Sequence, residues 1–145
     1  MQNARFGLIF LYCVPVNCAA MNVYLIEDDE IYAEFILRSL SKNPKYTVKT
    51  FKSAEECLNN GKTIADAYIV DYYLPGKSGI EFYEAIKDKL KENNKLIMMS
   101  AIDDGNMVLS FIKRGVRDYV IKDNTIIDSL TAILDGKEDE YYLFD

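Results

Sequence analysis

The carboxylate of Asp71 stands at the end of an apolar segment, residues 67–70, and is followed by a turn sequence with Pro75 and Gly76. A nearly continuous apolar segment of this length is typical of a strand that is buried on both faces of a parallel sheet. In open α/β sheets, ligands bind at the carboxyl ends of the strands, so a carboxylate in this place can take part in chemistry. Asp71 is therefore the first candidate for a functional residue.

Three further apolar segments also end on polar side chains. In chain order, these side chains are Glu27 and Asp28 after residues 23–26, Ser100 after residues 96–99, and Lys122 after residues 119–121. Because parallel strands end at one edge of a sheet, we expect acids, a hydroxyl and an amine to meet there. Close carboxylates repel each other by about 4 kcal/mol per pair at a surface-like dielectric, so the group requires a cation. Mg²⁺, which prefers oxygen ligands and keeps several waters, is the natural one.

The order of the segments predicts the fold class. From residue 21 onward, strand-like and helix-like segments alternate, which is typical of a parallel sheet with helices on both faces. The segment at residues 46–51 is predicted to be a short strand at an edge of the sheet. Five strands and five helices fit a flavodoxin-like (βα)5 doubly wound α/β fold with strand order 2-1-3-4-5. In this order the ligand crevice lies between the first and third strands, which are the two that end on acids.

Capping signals and apolar spacing predict the helices. Ser53 with Glu56 and Ser78 with Glu81 have the capping-box pattern of a helix start. Apolar residues at helical spacing mark four of the helices, and in the third helix they mark the side that faces the core. They are Ile31/Phe35 and Ile36/Leu40 in the first helix, Tyr83, Ile86 and Leu90 in the third, Met107, Val108, Phe111 and Ile112 in the fourth, and Ile126, Ile127, Leu130, Ile133 and Leu134 in the fifth.

The composition excludes several classes of protein. A formal net charge of −6 argues against direct binding to nucleic acid, which usually requires a basic face. The three cysteines have no metal-ligand spacing and form no even-numbered disulfide framework, which fits a reducing compartment. The sequence contains no histidine, so the chain cannot supply a phosphohistidine or a Ser-His-Asp triad. Any phosphohistidine must belong to a partner.

The series Glu27–Asp28, Asp71, Ser100 and Lys122 resembles, in order and spacing, the receiver domain of two-component response regulators. The resemblance covers about residues 22–135. It implies that Asp71 accepts a phosphoryl group from a sensor histidine kinase or a phosphotransfer protein. It also implies that Asp28 and Asp71 bind Mg²⁺ directly, that Glu27 binds it through water, and that the backbone carbonyl of Tyr73 completes the protein ligands.

The resemblance also implies a switch. Lys122 would pair with Asp71 in the resting state and with a phosphoryl oxygen afterwards, and the Ser100 hydroxyl would donate to another phosphoryl oxygen. Movement of Ser100 would let Tyr119 swing inward and alter the face formed by the fourth helix, the fifth strand and the fifth helix. The chain would thus be a signalling domain in the cytoplasm that catalyses only its own phosphorylation and slow dephosphorylation.

Asp123, Tyr73 and Ile102 lie at positions that vary among receivers. Many receivers have proline after the lysine, and this chain has Asp123, which leaves the geometry of that loop open. Tyr73 and Ile102 follow Asp71 and Ser100 by two residues and are bulky. We expect Tyr73 and Ile102 to hinder the access of water to the phosphoryl group and so to slow the loss of phosphate.

The predicted receiver domain comprises residues 21–136. Residues 1–20, with an apolar segment and small residues before Met21, have features of a signal peptide, but an upstream start assignment is the favoured interpretation. Residues 137–145 form a short acidic tail. The downstream effector is not predicted, no direct contact with nucleic acid or membrane is expected, and a phosphorylation-dependent homodimer is left open.

Three alternative functions fit the sequence less well. A metal-dependent phosphatase would have a second acid two residues after its nucleophile, where this chain has Tyr73. A flavodoxin-like cofactor binder would have a phosphate loop after the first strand, where acids would repel the phosphate. A degenerate receiver that acts only as a protein-interaction module is the remaining alternative, and the intact series of candidate residues speaks against it.

Overall fold

The computed structural model describes residues 20–61 and 64–137. Five parallel strands form one sheet in the order β2-β1-β3-β4-β5, so the predicted strand order and the edge position of β2 are confirmed. The strands are β1 (Met21–Ile26), β2 (Tyr46–Phe51), β3 (Ala67–Asp71), β4 (Lys95–Ser100) and β5 (Asp118–Ile121). The helices between and after them are α1 (Glu30–Ser41), α2 (Ala54–Asn59), α3 (Gly79–Ile86), α4 (Gly105–Arg114) and α5 (Ile126–Leu134), with a 3₁₀ turn at Lys87–Lys89.

The sheet has an apolar core on each face because its central strands alternate their side chains between the two faces. In β3, Ala67 and Ile69 face one core, while Tyr68 and Val70 face the other. Helices α1 and α5 cover the first face, and α2, α3 and α4 cover the second. All five residues of β3 are buried, as its nearly continuous apolar sequence predicted.

Local capping interactions fix where the helices begin. The Asp29 side chain accepts hydrogen bonds from the backbone N–H groups of Ile31 and Tyr32 and so starts α1 directly after the acid cluster. Ser78 and Glu81 form a complete capping box at α3, as predicted. Ser53 caps α2 by accepting a hydrogen bond from the backbone N–H of Glu56, but the Glu56 carboxylate accepts from the backbone N–H of Lys52 and not from that of Ser53, so the capping box is incomplete.

Some of the apolar residues that mark the predicted helices face solvent. Ile31 is 85% exposed and Ile112 is 59% exposed, and Phe35 is also largely outside the core. Helix α3 ends at Ile86, and a 3₁₀ turn follows, so Leu90, predicted as part of this helix, lies beyond its end and is only partly buried. Apolar spacing gives the pitch of a helix, whereas the packing against the sheet selects which stripe is buried.

The two predicted flanking segments lie almost wholly outside the described residues. Of the extension at 1–20 only Ala20 is described, and of the tail at 137–145 only Lys137. The division of the chain into these segments and a domain at 21–136 therefore stays a prediction. Within the described ranges, no helix combines the length and the apolar character needed to cross a bilayer.

Candidate functional site

The parallel register of the central strands brings the acids together. Ile26 of β1 is paired with Val70 of β3, so Glu27, the residue after β1, and Asp71, the last residue of β3, come side by side at the end of the sheet. The Glu27 backbone N–H still donates to the Phe51 carbonyl of β2, at 3.0 Å, which holds this end of β1 in the sheet. Two adjacent strands thus deliver two carboxylates to one edge.

Three carboxylates converge at this edge. One carboxylate oxygen from each of Glu27, Asp28 and Asp71 lies within 4.8 Å of the others. Glu27 and Asp71 are buried, with 2% and 5% of their surface exposed, whereas Asp28 is exposed. The cluster therefore opens to solvent on the side of Asp28. A set of acidic oxygens that solvent can reach suits Mg²⁺, which needs oxygen ligands and retains waters.

Lys122, the first residue after β5, supplies the cation of the cluster. Its Nζ lies 2.7 Å from Glu27 Oε2 and 3.2 Å from Asp71 Oδ2. The ammonium group thus pairs with Asp71 but lies closer to Glu27. Burial by itself lowers the pKa of Lys122, but the Glu27 hydrogen bond and the charges of Asp71 and Glu27 outweigh it and raise this pKa overall.

The surroundings of Glu27 in the cluster disfavour its charged form. Burial raises its pKa to about 7, the hydrogen bond from Lys122 opposes this shift, and the charge of Asp71 adds to it. One ammonium group does not compensate three carboxylates, so the site retains excess negative charge. The residues present therefore fit a divalent cation.

Ser100 and Tyr119 meet at the backbone of Ile102. Ser100 is fully buried, and its Oγ accepts a hydrogen bond from the Ile102 N–H at 3.1 Å. The half-buried Tyr119 donates its hydroxyl to the Ile102 carbonyl at 2.6 Å and packs on Phe111 of α4, with 5.4 Å between the ring centroids. One loop residue therefore connects the candidate phosphate-binding hydroxyl to the candidate switch residue.

The bulky residues at the rim are largely exposed. Tyr73 is 56% exposed and packs its ring against that of Tyr72, and Ile102 is 45% exposed. Asp123, in place of the common proline, accepts hydrogen bonds from the backbone N–H and the hydroxyl of Thr125 and so organises the loop before α5. The described residues contain no cis peptide bond.

Tyr32 belongs to the site, although its sequence position did not point to a role. Lys122 Nζ lies 4.7 Å from the centroid of its ring. The available signal was an aromatic residue in the first turn of the helix that begins next to the acid cluster. Apolar spacing did not reveal it, because Tyr32 lies outside the pairs Ile31/Phe35 and Ile36/Leu40 that mark the first helix.

Residues 23–134 match the family of the response regulator receiver domain. The chain belongs to this family. The resemblance stated from the strand-end residues is thereby confirmed, and so is the flavodoxin-like fold class. The roles of the individual site residues stay predictions.

Relatives of this receiver domain include bacterial regulators. The transcriptional regulatory protein MalR of Bacillus subtilis (strain 168) is 30% identical over 106 residues, which cover 70% of this chain and 44% of MalR. The regulatory protein VanR of Enterococcus faecium is 34% identical over 101 residues, which cover 68% of this chain and 42% of VanR. The chain thus spans less than half the length of both relatives.

A solved structure is similar over most of this receiver domain. The response regulator protein TrrA from Thermotoga maritima, solved in complex with Mg²⁺-BeF, has a TM-score of 0.68 and 25% sequence identity. The match covers 81% of this chain and 98% of that one.

The raised pKa of Glu27 predicts how the stability of the metal-free receiver depends on pH. The folded state binds the Glu27 proton more tightly than the unfolded state, so protonation of Glu27 stabilises the folded state. This contribution is complete below about pH 4.5 and is lost as the pH rises to about 7. We expect the free energy of unfolding to fall by about 1–3 kcal/mol over this window, since one pKa unit corresponds to 1.36 kcal/mol. Urea unfolding at constant ionic strength with a chelator measures it.

The chain contains no histidine, so few other side chains titrate in the upper part of this window, above about pH 5.5. Glu27→Gln is the matched variant and should flatten the profile. A wild-type profile without this fall, or the same fall in both proteins, would contradict the assignment to Glu27.

Proposed function

We propose that this receiver domain is a phosphorylatable switch in which Asp71 accepts a phosphoryl group from a sensor histidine kinase or a phosphotransfer protein. One observation carries the proposal. The buried Asp71 carboxylate lies between two further acids and an ammonium group, with Lys122 Nζ at 3.2 Å, at the carboxyl edge of the sheet. A nucleophile, a cation site and a fixed positive charge are what phosphoryl transfer requires.

Asp71 would act as the nucleophile. A carboxylate oxygen forms a bond to phosphorus while the P–N bond of the partner's phosphohistidine breaks and the imidazole leaves. The product is an acyl phosphate on Asp71. Because the ionised carboxylate has no proton to lose, the transfer needs no general base from this chain.

Mg²⁺ would be held by Asp28 and Asp71, by Glu27 through water, and by the backbone carbonyl of Tyr73. When bound, it offsets the negative charge of the acids and of the phosphoryl oxygens. The likeness to TrrA, which was solved with Mg²⁺-BeF, supports this ligand for the receiver.

Lys122 and Ser100 would bind the phosphoryl oxygens. Lys122 already lies beside Asp71, whereas the Ser100 hydroxyl has to turn from its present contact with the Ile102 backbone. This movement removes one of the two contacts at Ile102, and Tyr119 holds the other. Tyr119 would then move inward and alter the face of α4, β5 and α5.

The altered face would be the output of the switch. Helix α4 already exposes Leu109 and Ile112 on its surface, at 54% and 59%. A downstream partner or a second copy of the chain would bind there. If phosphorylation leaves the NMR signals of the Tyr119 ring unchanged, this part of the proposal is wrong.

The proposed location of the receiver follows from the source of its phosphoryl group. The phosphodonor is a cytoplasmic partner, so we place the receiver in the cytoplasm. With a formal net charge of −6, direct contact with nucleic acid is not proposed for this chain.

Incubation with a small phosphodonor and Mg²⁺, followed by intact-mass measurement, tests the proposal. We expect a gain of one phosphate that is stable in acid and labile in base. Asp71→Asn should show no such gain, whereas Asp66→Asn, an acid before β3, should behave like the wild type. The absence of any gain in the wild type would favour a receiver that only binds proteins.

The lifetime of the phosphoryl group gives a separate prediction. Tyr73 and Ile102 are bulky residues at the rim, and we expect them to restrict the access of water to the acyl phosphate. Replacing both with serine should speed hydrolysis by about tenfold, which corresponds to about 1.4 kcal/mol of barrier. Loss of radiolabel after removal of the donor measures the lifetime.

Ile112→Ser is the control for this variant, because it changes an exposed apolar residue of α4 in the same way. The control should keep the wild-type lifetime. An unchanged lifetime in the double variant would refute the role of the two rim residues.

A further inference from the structure

Tyr32 lies where it can act on the candidate catalytic lysine. It is half-buried in the first turn of α1, and the ammonium group of Lys122 lies over its ring at 4.7 Å from the centroid. A cation within about 6 Å of a ring centroid is attracted by the negative face of the aromatic system. Tyr32 is therefore a third partner of Lys122, besides Glu27 and Asp71.

The contact is made by the ring and not by the hydroxyl. The Tyr32 hydroxyl is buried and has no hydrogen-bond partner among the described residues. Burial raises the pKa of this phenol to about 12, with smaller contributions from the charges of Glu27, Asp123 and Asp71, so it stays neutral. The aromatic face thus interacts with Lys122 without adding a fourth negative charge.

The two carboxylates that pair with Lys122 do not hold it equally, so a further contact is needed to fix the position of its ammonium group. Its Nζ is 2.7 Å from Glu27 and 3.2 Å from Asp71, so Glu27 holds it more closely. The lysine stem is flexible and its side chain is 16% exposed, which leaves the ammonium group other places to occupy. A flat aromatic surface beside the ammonium group restricts these alternatives.

We propose that Tyr32 is a positioning residue for phosphoryl transfer, whose ring keeps the Lys122 ammonium group beside Asp71, where the incoming phosphoryl group arrives. This inference rests on the proposed function. Without the ring, the ammonium group moves toward Glu27 and solvent, and it has to return to the side of Asp71 in the transition state. The ring therefore acts on the maximal rate of phosphorylation and leaves the affinity for the phosphodonor unchanged.

Two substitutions separate the ring from the hydroxyl. Tyr32→Leu removes the aromatic face, and Tyr32→Phe keeps it. Phe35→Leu is the control, because it removes the neighbouring ring of α1, which packs on Tyr32 with 5.9 Å between the ring centroids, and leaves the Tyr32 ring itself in place. Circular dichroism and thermal unfolding first establish that each variant is folded.

The kinetic readout is phosphorylation by a small phosphodonor over a range of donor concentrations, with Mg²⁺. We expect Tyr32→Leu to lower the maximal rate about fivefold, equivalent to about 1 kcal/mol, without a change in the half-saturating donor concentration. Tyr32→Phe and Phe35→Leu should remain within twofold of the wild type. A folded Tyr32→Leu with the wild-type rate, or a Tyr32→Phe that loses as much, would overturn the proposal.

A second readout does not depend on phosphorylation. In the metal-free protein, the ring should shift the NMR signals of the Lys122 side chain upfield, and this shift should persist in Tyr32→Phe and vanish in Tyr32→Leu. If the wild type has this shift but takes up no phosphate, the proposed function fails and the contact stands. If phosphate uptake is normal but the shift is absent, the inference about Tyr32 fails.

Discussion

Gly79→Ala is expected to lower the free energy of unfolding by about 3 kcal/mol, the upper end of the usual cost of overpacking. A Cβ at this position would lie 2.5 Å from the Asp71 carbonyl oxygen, 2.9 Å from the Tyr72 Cα and 2.9 Å from the Met98 sulfur. Two of these atoms belong to the backbone that carries the candidate phosphoacceptor, so they cannot move aside at little cost. Helix propensity alone would favour alanine by about 1 kcal/mol, and the expected sign is the opposite.

The comparison with Gly105→Ala makes this prediction specific. Gly105 also begins a helix, α4, but a Cβ there would have no heavy atom within 4 Å. Its replacement should leave stability unchanged or raise it by up to about 1 kcal/mol. Urea unfolding of both variants measures the difference. Equal stability of the two variants would mean that α3 does not pack against the end of β3 as described.

Lys122→Met is expected to destabilise the metal-free receiver by about 3–5 kcal/mol at pH 8, the usual cost of leaving a buried charge without its partner. Glu27 and Asp71 are buried and share this one ammonium group. Without it, their mutual repulsion is uncompensated when both are ionised. At pH 5 the loss should be smaller, because burial raises the Glu27 pKa and the carboxyl is then protonated.

Lys45→Met provides the matched control. Lys45 forms an ion pair with Asp135 in which both side chains remain partly exposed, at 31% and 24%. Its removal should therefore cost less than about 1 kcal/mol and depend little on pH in this range. Unfolding at both pH values, with and without Mg²⁺, tests the pair of variants. A loss in Lys122→Met that matched that of Lys45→Met would show that the ammonium group does not hold the cluster together.

The sequence predicted the sheet well because its strands carry strong local signals. The apolar segment before Asp71 reads as a doubly buried strand, and β3 is buried throughout. The rules for parallel α/β folds then leave few topologies, so the strand order and the shared edge of Glu27 and Asp71 follow. In the site, residue type and strand position sufficed to name the acids and Lys122.

What could not be predicted depends on packing between distant segments. The exposure of Ile31 and the end of α3 at Ile86 are set by how each helix lies on the sheet, which periodicity does not determine. Tyr32 was missed for the same reason, since its partner Lys122 is far away in the sequence. The closer approach of Lys122 to Glu27 than to Asp71 is likewise a matter of side-chain geometry.

The central claim is that the acids at the strand ends hold a divalent cation beside Asp71 and make it the phosphoacceptor. Its most direct test is to locate the phosphoryl group after reaction with a small phosphodonor, by borohydride reduction of the acyl phosphate and peptide mass spectrometry, with Mg²⁺ or with a chelator. We predict conversion of residue 71 to homoserine in the presence of Mg²⁺ and none with the chelator. Modification at another residue, or equal modification without Mg²⁺, would contradict the account.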